Sequence, residues 1–287
     1  MSLRDQYQFL FNVTYDNALR ERFLSQPQNL LKEQGLAEEF RPLTQGRINR
    51  IRVESLARRG AYLKTFFSCF PKTTFVLTSA CRSLEPLSSF FASPHFLNCF
   101  SSNESFVDAF NSFLAQQVRR YTSKVPSLPD LHSYEAALYL LRTRPHDEGG
   151  LTREVPMDLT RCLVQAPHAL LRRFTYPITE IVEYIDYFTA SSWYHLAPLY
   201  AAVDECMPTL VIPHEALSDP LLALLTLQGK ELRVLKIKAS QYDVLAGCDG
   251  TRSCHQLLEA VESADLPRLT AWLDYCWQKR ILDYFEE

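Results

Sequence analysis

The sequence predicts an α+β protein: an N-terminal helical bundle, then a winged-helix-like domain with a small antiparallel sheet and three helices. Apolar residues recur at helical spacing up to about residue 141, and residues 142–158 lose this periodicity. Short strand patterns followed by helical patterns occupy the rest of the chain. The Gly-Gly pair and two prolines of 142–158 mark the boundary, which gives a helical domain over 1–148 and a winged-helix-like domain over 149–287.

The N-terminal half reads as a series of helices. Asp16 is an N-cap residue type, and Pro27 and Gly35 stand where a short helix would begin and end. Helices are predicted over 3–13, 16–24, Pro27 to Gly35, 45–70, 74–91, 104–121 and 131–141. Eleven phenylalanines lie between Phe66 and Phe113. They form either a buried core or, in part, an exposed patch for a partner protein.

The C-terminal half combines short strands with helices. Strands are predicted over 159–165, 170–174, 209–212 and 232–238, with a helix that Pro177 opens and that runs to Phe188. The strand 232–238 is partly apolar on both faces. The closing helices are predicted over 240–246, 253–261 and 266–284, with an Asp249-Gly250 turn between the first two.

The usual signatures of catalysis and metal binding do not occur in the sequence. It has no GxGxxG, GxxxxGK[ST], HExxH or GxSxG motif, and its 8 glycines are few for an α/β enzyme. The histidines are dispersed, no cysteine pair has CxxC spacing, and Cys248, Cys254 and His255 match no structural zinc pattern. We therefore expect a chain without a cofactor that is not itself an enzyme.

The sequence also predicts a cytoplasmic protein. The N-terminus lacks an apolar run of signal-peptide length, and no stretch approaches the ~18 apolar residues of a membrane span. Cysteines scattered in this way are typical of small buried side chains in a reducing compartment.

The densest charged segment is basic and runs from Arg41 to Lys72, with Glu54 as its one acid. Two observations argue against nucleic acid as a partner: the net charge is −3, and the basic residues lie outside the predicted winged helix. A docking surface for another protein, with Arg50, Arg58 and Arg59, is the favoured interpretation. A DNA-binding winged-helix regulator remains the alternative.

The strand 232–238 is the candidate binding site. An edge strand with two partly apolar faces is suited to pairing with an extended peptide. Leu232, Val234, Leu235 and Ile237 are the predicted peptide contacts on the strand. Leu269 and Leu273, one turn apart on the last helix, are the predicted facing wall of the groove.

Several segments resemble known families. The passage from Lys236 to Val261, with its Asp-Gly-Thr-Arg-Ser turn, resembles the PqqD-like peptide recognition element of ribosomal peptide natural-product pathways. Phe23-Leu-Ser-Gln-Pro with Gly35-Leu36, together with segments 129–135 and 166–177, is similar to the helical companion proteins of multinuclear non-haem iron oxidases. Among these companions, the length and the C-terminal domain favour the TglI-like type of 3-thiaglutamate biosynthesis over the MbnC-like and HvfC-like types.

The resemblance implies a non-catalytic partner protein. Such a chain would form a heterodimer with a TIM-barrel iron enzyme and hold the leader of a precursor peptide. The enzyme would excise a carbon oxidatively from a peptide cysteine, and the iron ligands would belong to that enzyme.

Overall fold

The computed structural model describes residues 3–36, 48–102, 104–144, 153, 155–189, 212, 215–228, 231–259, 261 and 265–285. The chain folds into two compact units. The first comprises Met1–Leu128 with Ile185–Val211, and the second comprises Pro129–Tyr184 with Ile212–Glu287. Residues 148 and 149, where the sequence predicts the domain boundary, lie outside the described ranges, and the two units divide after Leu128.

Helices build the described part of the first unit. Most of the predicted helices are present, and Asp16 caps α2 by accepting a hydrogen bond from the Leu19 amide at 3.1 Å. The helix predicted over 74–91 is wrong as one element, because the chain turns at Arg82, whose φ is 49°. The helices are α1 (Leu3–Tyr15), α2 (Asn17–Ser25), α3 (Pro27–Glu33), α4 (Ile48–Cys69), α5 (Pro71–Cys81), α6 (Glu85–Ser88), α7 (Pro94–Ser102) and α8 (Phe106–Tyr121), with a 3-10 turn at Ser89–Ala92.

The end of α3 follows from one glycine. Gly35 has a φ of 69°, which a residue without a side chain adopts at little cost. Its amide donates to the Lys32 carbonyl at 3.1 Å, and the Leu36 amide donates to the Leu31 carbonyl at 2.7 Å. This is the Schellman arrangement, and it confirms the predicted end of the helix. The helix begins at Pro27, as predicted.

Aromatic rings form the core of the first unit. Phe66 and Phe110 stack with centroids 4.0 Å apart, and Phe90 meets both rings edge-on. The structure confirms a buried core for nine of the eleven phenylalanines, and these nine rings form no exposed patch. Phe106 is half-buried, and the Phe100 side chain lies outside the described residues.

The second unit contains two three-stranded antiparallel sheets with helices, so the α+β class is confirmed. The elements are α9 (Leu128–Thr143), β1 (Cys162–Gln165), β2 (Ala169–Phe174), α10 (Ile178–Thr189), β3 (Leu221–Gln228), β4 (Glu231–Lys236), α11 (Ala239–Ala246), β5 (Asp249–Ser253), α12 (Cys254–Glu259), α13 (Leu266–Gln278) and β6 (Leu282–Tyr284). One sheet has the strand order β5-β1-β6 and the other has the order β2-β3-β4. Helix α10 continues into the first unit.

Three strands of the second unit differ from the prediction. Strand β3 was not predicted from the sequence, and residues 249–250 begin strand β5 where a turn was expected. The last helix ends at Gln278 because the chain turns at Arg280, whose φ is 55°, and then forms β6. The strand predicted over 209–212 lies outside the described ranges except for Ile212, which is in no strand.

Both sheets and the last three helices contribute to the core of the second unit. Its buried cluster includes Leu163 of β1, Leu224 of β3, Leu245 of α11, Leu257 of α12 and Leu273 of α13. In the ranges that the structure describes, no helix is both long and apolar enough to cross a bilayer.

Candidate functional site

Strand β4 lies at an edge of its sheet, as the sequence predicted for residues 232–238. It pairs antiparallel with β3, from Gln228 opposite Glu231 to Ala223 opposite Lys236. Among the described residues, no strand pairs with its other side. Such an edge presents backbone amide and carbonyl groups that can pair with another chain.

The register shows which backbone groups point away from β3. The Ile237 amide donates to the Leu222 carbonyl at 2.9 Å, so these opposed residues form a hydrogen-bonded pair. Hydrogen-bonded and non-hydrogen-bonded pairs alternate along an antiparallel ladder. Leu232, Val234 and Lys236 therefore direct their amide and carbonyl groups toward the unpaired edge.

The side chains of β4 alternate between the two faces of the sheet. Leu235 and Ile237 point to the core face, where Ile237 is buried and Leu235 is half-buried against the same cluster. Leu232 and Val234 are half-buried on the opposite face. The strand thus has apolar side chains on both faces, as its sequence pattern predicted.

The two predicted residues of the last helix are in the core. Leu269 is 2% exposed and Leu273 is 0% exposed, and both belong to the cluster that contains Ile237. The structure therefore places Leu269 and Leu273 in one cluster with Leu235 and Ile237, but the two helix residues have almost no surface to offer a ligand.

The three predicted docking arginines do not form one surface. Arg58 is exposed and contacts the Glu54 carboxylate at 2.7 Å, whereas Arg59 is buried with its guanidinium 5.1 Å from the centre of the Phe91 ring. Burial lowers the pKa of Arg59 to about 10. The placement of Arg59 on this surface is wrong, because its side chain is buried. Arg58 and Arg59 are neighbours on a helix, so their side chains point about 100° apart. The Arg50 side chain lies outside the described residues.

The Asp-Gly-Thr-Arg-Ser motif has a local structural role. The Asp249 carboxylate accepts hydrogen bonds from the amide and hydroxyl of Thr251, and these bonds lower the pKa of Asp249. Gly250 has a φ of 85°. The Ser253 hydroxyl accepts from the Gln256 amide at 3.3 Å, and the Gln256 side chain accepts from the Ser253 amide at 2.9 Å. The motif therefore holds the start of β5 and caps α12.

The second unit also has an apolar groove that was not predicted from the sequence. Two adjoining depressions of about 520 and 420 Å³ share Leu159, Leu266 and Thr270. The remaining lining residues are Pro156, Met157, Pro267, Ala271 and Asp274 in one depression, and His255, Leu258, Glu259 and Val261 in the other. No sequence motif could have shown this groove, because three separate segments form it.

The cysteines of the second unit are mostly buried thiols. Burial raises the pKa of Cys254 to about 11, raises that of Cys248 to about 12, and raises that of Cys276 as well. Within the described part of the chain, no three histidine, cysteine or acidic side chains form a group that could hold a metal ion. Cys206 lies outside that part.

We expect the buried thiols to be unreactive in the folded protein, because the thiolate is the reactive form. In native protein at pH 8, a disulfide reagent should modify Cys248, Cys254 and Cys276 at least about tenfold more slowly than half-buried Cys162. Peptide mass mapping over time measures these rates, and the protein in urea serves as the control in which all sites react alike. Equal rates for Cys248 and Cys162 in folded protein would contradict the burial described here.

The chain was compared with models of known protein families, with curated proteins and with solved structures, and none of them matches it. The resemblance to companion proteins of iron oxidases therefore stays a prediction.

Proposed function

We propose that this chain is a non-catalytic binding subunit that takes up an extended peptide as an additional strand beside β4. The observation that carries the proposal is the edge position of β4, with the backbone groups of Leu232, Val234 and Lys236 directed away from β3. Backbone pairing supplies affinity in such a complex, and flanking side chains supply specificity. Sheet β2-β3-β4 followed by α11, α12 and α13 is, in this proposal, a winged-helix-like peptide recognition domain.

The proposed peptide is the leader of a ribosomally made precursor. The chain would act in the cytoplasm as a heterodimer with a TIM-barrel multinuclear non-haem iron oxidase, which modifies a peptide cysteine in 3-thiaglutamate-type biosynthesis. The iron belongs to the oxidase in this proposal, and the chain itself holds no cofactor. The N-terminal helical bundle would dock on the oxidase, and Arg50 and Arg58 remain candidates for that surface. This part of the proposal is supported by the sequence resemblance.

A DNA-binding winged-helix regulator is less well supported. A recognition helix presents basic and polar side chains to the major groove. Helix α12 instead buries Cys254, Leu257 and Leu258 in the core, and its exposed His255 contacts the Glu259 carboxylate at 3.1 Å. We therefore favour peptide binding for the second unit.

Substituting proline at Val234 tests the proposed edge. Val234→Pro removes an amide that points away from β3, so the sheet keeps its hydrogen bonds while an added strand loses one donor and meets the proline ring. Peptides of twelve residues selected on the wild-type protein from a random displayed library are the probe. Their affinity for Val234→Pro should fall at least about tenfold, which corresponds to about 1.4 kcal/mol.

Val234→Thr is the matched control, because it keeps both the amide and the β-branched shape. Its affinity should stay within about twofold of wild type, and circular dichroism should show the same fold for both variants. Added peptide should also slow hydrogen exchange at residues 232–236. Selected peptides that bind Val234→Pro as tightly as wild type would show that they bind elsewhere.

A further inference from the structure

Strand β4 carries a concentration of positive charge. From Lys230 to Lys238 the sequence has four cations and the single acid Glu231, although the whole chain has a net charge of −3. Arg233, Lys236 and Lys238 are exposed. Among the described residues, none of these three forms an ion pair. The cations are therefore available to a ligand at this edge.

The register distributes two of these cations over the two faces of the sheet. Arg233 lies on the same face as Leu235, and Lys236 lies on the same face as Val234, because side chains alternate along a strand. A strand added beside β4 would place one side chain directly opposite each of these residues. Opposite charges at such positions attract, and like charges repel.

The order of side chains on β4 defines the complementary peptide. Two apolar residues, Val234 and Leu235, separate Arg233 from Lys236. Two acidic residues with two apolar residues between them would match this order. The two acidic residues stand three residues apart whichever way the ligand strand runs, because Arg233 and Lys236 are three residues apart on β4.

We infer that β4 selects acidic peptide strands in which two carboxylate side chains stand three residues apart around an apolar pair. This inference rests on the proposed function, because it needs a ligand strand paired with β4. The carboxylate opposite Arg233 lies on the core face, and the carboxylate opposite Lys236 lies on the other face. The apolar pair contacts Leu235 on the first face and Val234 on the second.

Two labelled synthetic peptides test the charge preference. Both are twelve-residue strands with the same flanking residues, one with the centre Asp-Val-Ile-Glu and one with the centre Lys-Val-Ile-Lys. At low salt the acidic probe should bind wild-type protein at least about tenfold more tightly, since two attractive pairs become two repulsive ones. Fluorescence anisotropy measures both affinities.

A charge exchange on the protein makes the test specific. The double variant Arg233→Glu with Lys236→Glu should prefer the basic probe by a similar factor. Lys32→Glu with Lys64→Glu changes the net charge equally on two exposed lysines of the first unit, and it should keep the wild-type preference. Circular dichroism and urea midpoints confirm that both double variants fold.

The outcomes separate this inference from the proposed function. Equal binding of both probes, with both lost in Val234→Pro, would leave strand addition standing and overturn the charge preference. If the acidic probe bound Val234→Pro as tightly as wild type, strand addition at β4 would be overturned. The inference would then be overturned with it. Failure of the acidic probe to bind at millimolar concentration, or a duplex DNA that binds through Arg233 and Lys236 instead, would also overturn the inference.

Discussion

Replacing Leu273 with aspartate should unfold the second unit. Leu273 is 0% exposed and packs in the cluster that includes Leu269, Cys276 and Ile237. The substitution removes buried apolar atoms and places a carboxylate among buried apolar side chains, so we expect a loss of about 4 kcal/mol or more in the free energy of unfolding. Urea unfolding followed by circular dichroism measures this loss.

Leu266→Asp is the matched control on the same helix. Leu266 is 38% exposed in the first turn of α13, where an acidic residue also interacts favourably with the helix dipole. We expect its unfolding free energy to change by less than about 1 kcal/mol. If Leu273→Asp kept the wild-type urea midpoint, the side chain would be accessible, as the interpretation of Leu273 as a groove wall requires.

Leu273 was predicted to face a ligand and is buried in the core, which shows what a helical pattern of apolar residues can establish. Apolar residues four apart, such as Leu269 and Leu273, predict that one side of a helix is buried. The pattern is the same whether the covering surface is the protein's own sheet or a ligand. The burial of Leu269 and Leu273 in the cluster that contains Ile237 shows that the protein itself covers this side.

Local signals explain why some of the helix ends were predictable. The Asp16 cap and the Pro27 and Gly35 positions involve hydrogen bonds between residues at most five apart, so the sequence near each end is sufficient. Strand β3 has no such signal. Its apolar run buries Ala223, Leu224 and Leu225 on both faces, and the resulting pattern does not alternate.

Part of the candidate site was predictable, because its signal lies in one short segment of the sequence. Alternation in 232–238 indicated a strand with two apolar faces, and the structure confirms its place at a sheet edge. The groove that Leu159, Leu266 and Thr270 share depends on segments distant in sequence. Its position follows from the tertiary fold, and the residue pattern of a single segment does not show it.

The stability of the first unit should depend on its aromatic core as strongly as the second depends on Leu273. Phe110 is 0% exposed, stacks on Phe66 at 4.0 Å with 3° between the ring planes, and receives the edge of Phe90 at 5.3 Å. Offset stacking and edge-to-face contacts of this kind add to the free energy gained from burial. Removal of the Phe110 ring therefore removes contacts of four further rings, those of Phe66, Phe70, Phe90 and Phe113.

Phe110→Ala should lower the free energy of unfolding of the first unit by about 3 to 5 kcal/mol, as expected for a buried phenylalanine that leaves a cavity. Leu97→Ala, on α7 of the same unit, is the control, because Leu97 is 42% exposed and its truncation should cost less than about 1 kcal/mol. Urea unfolding of both variants gives the comparison. A loss below about 1 kcal/mol for Phe110→Ala would show that these rings do not form the core, and it would restore the interpretation in which part of the aromatic surface serves a partner protein.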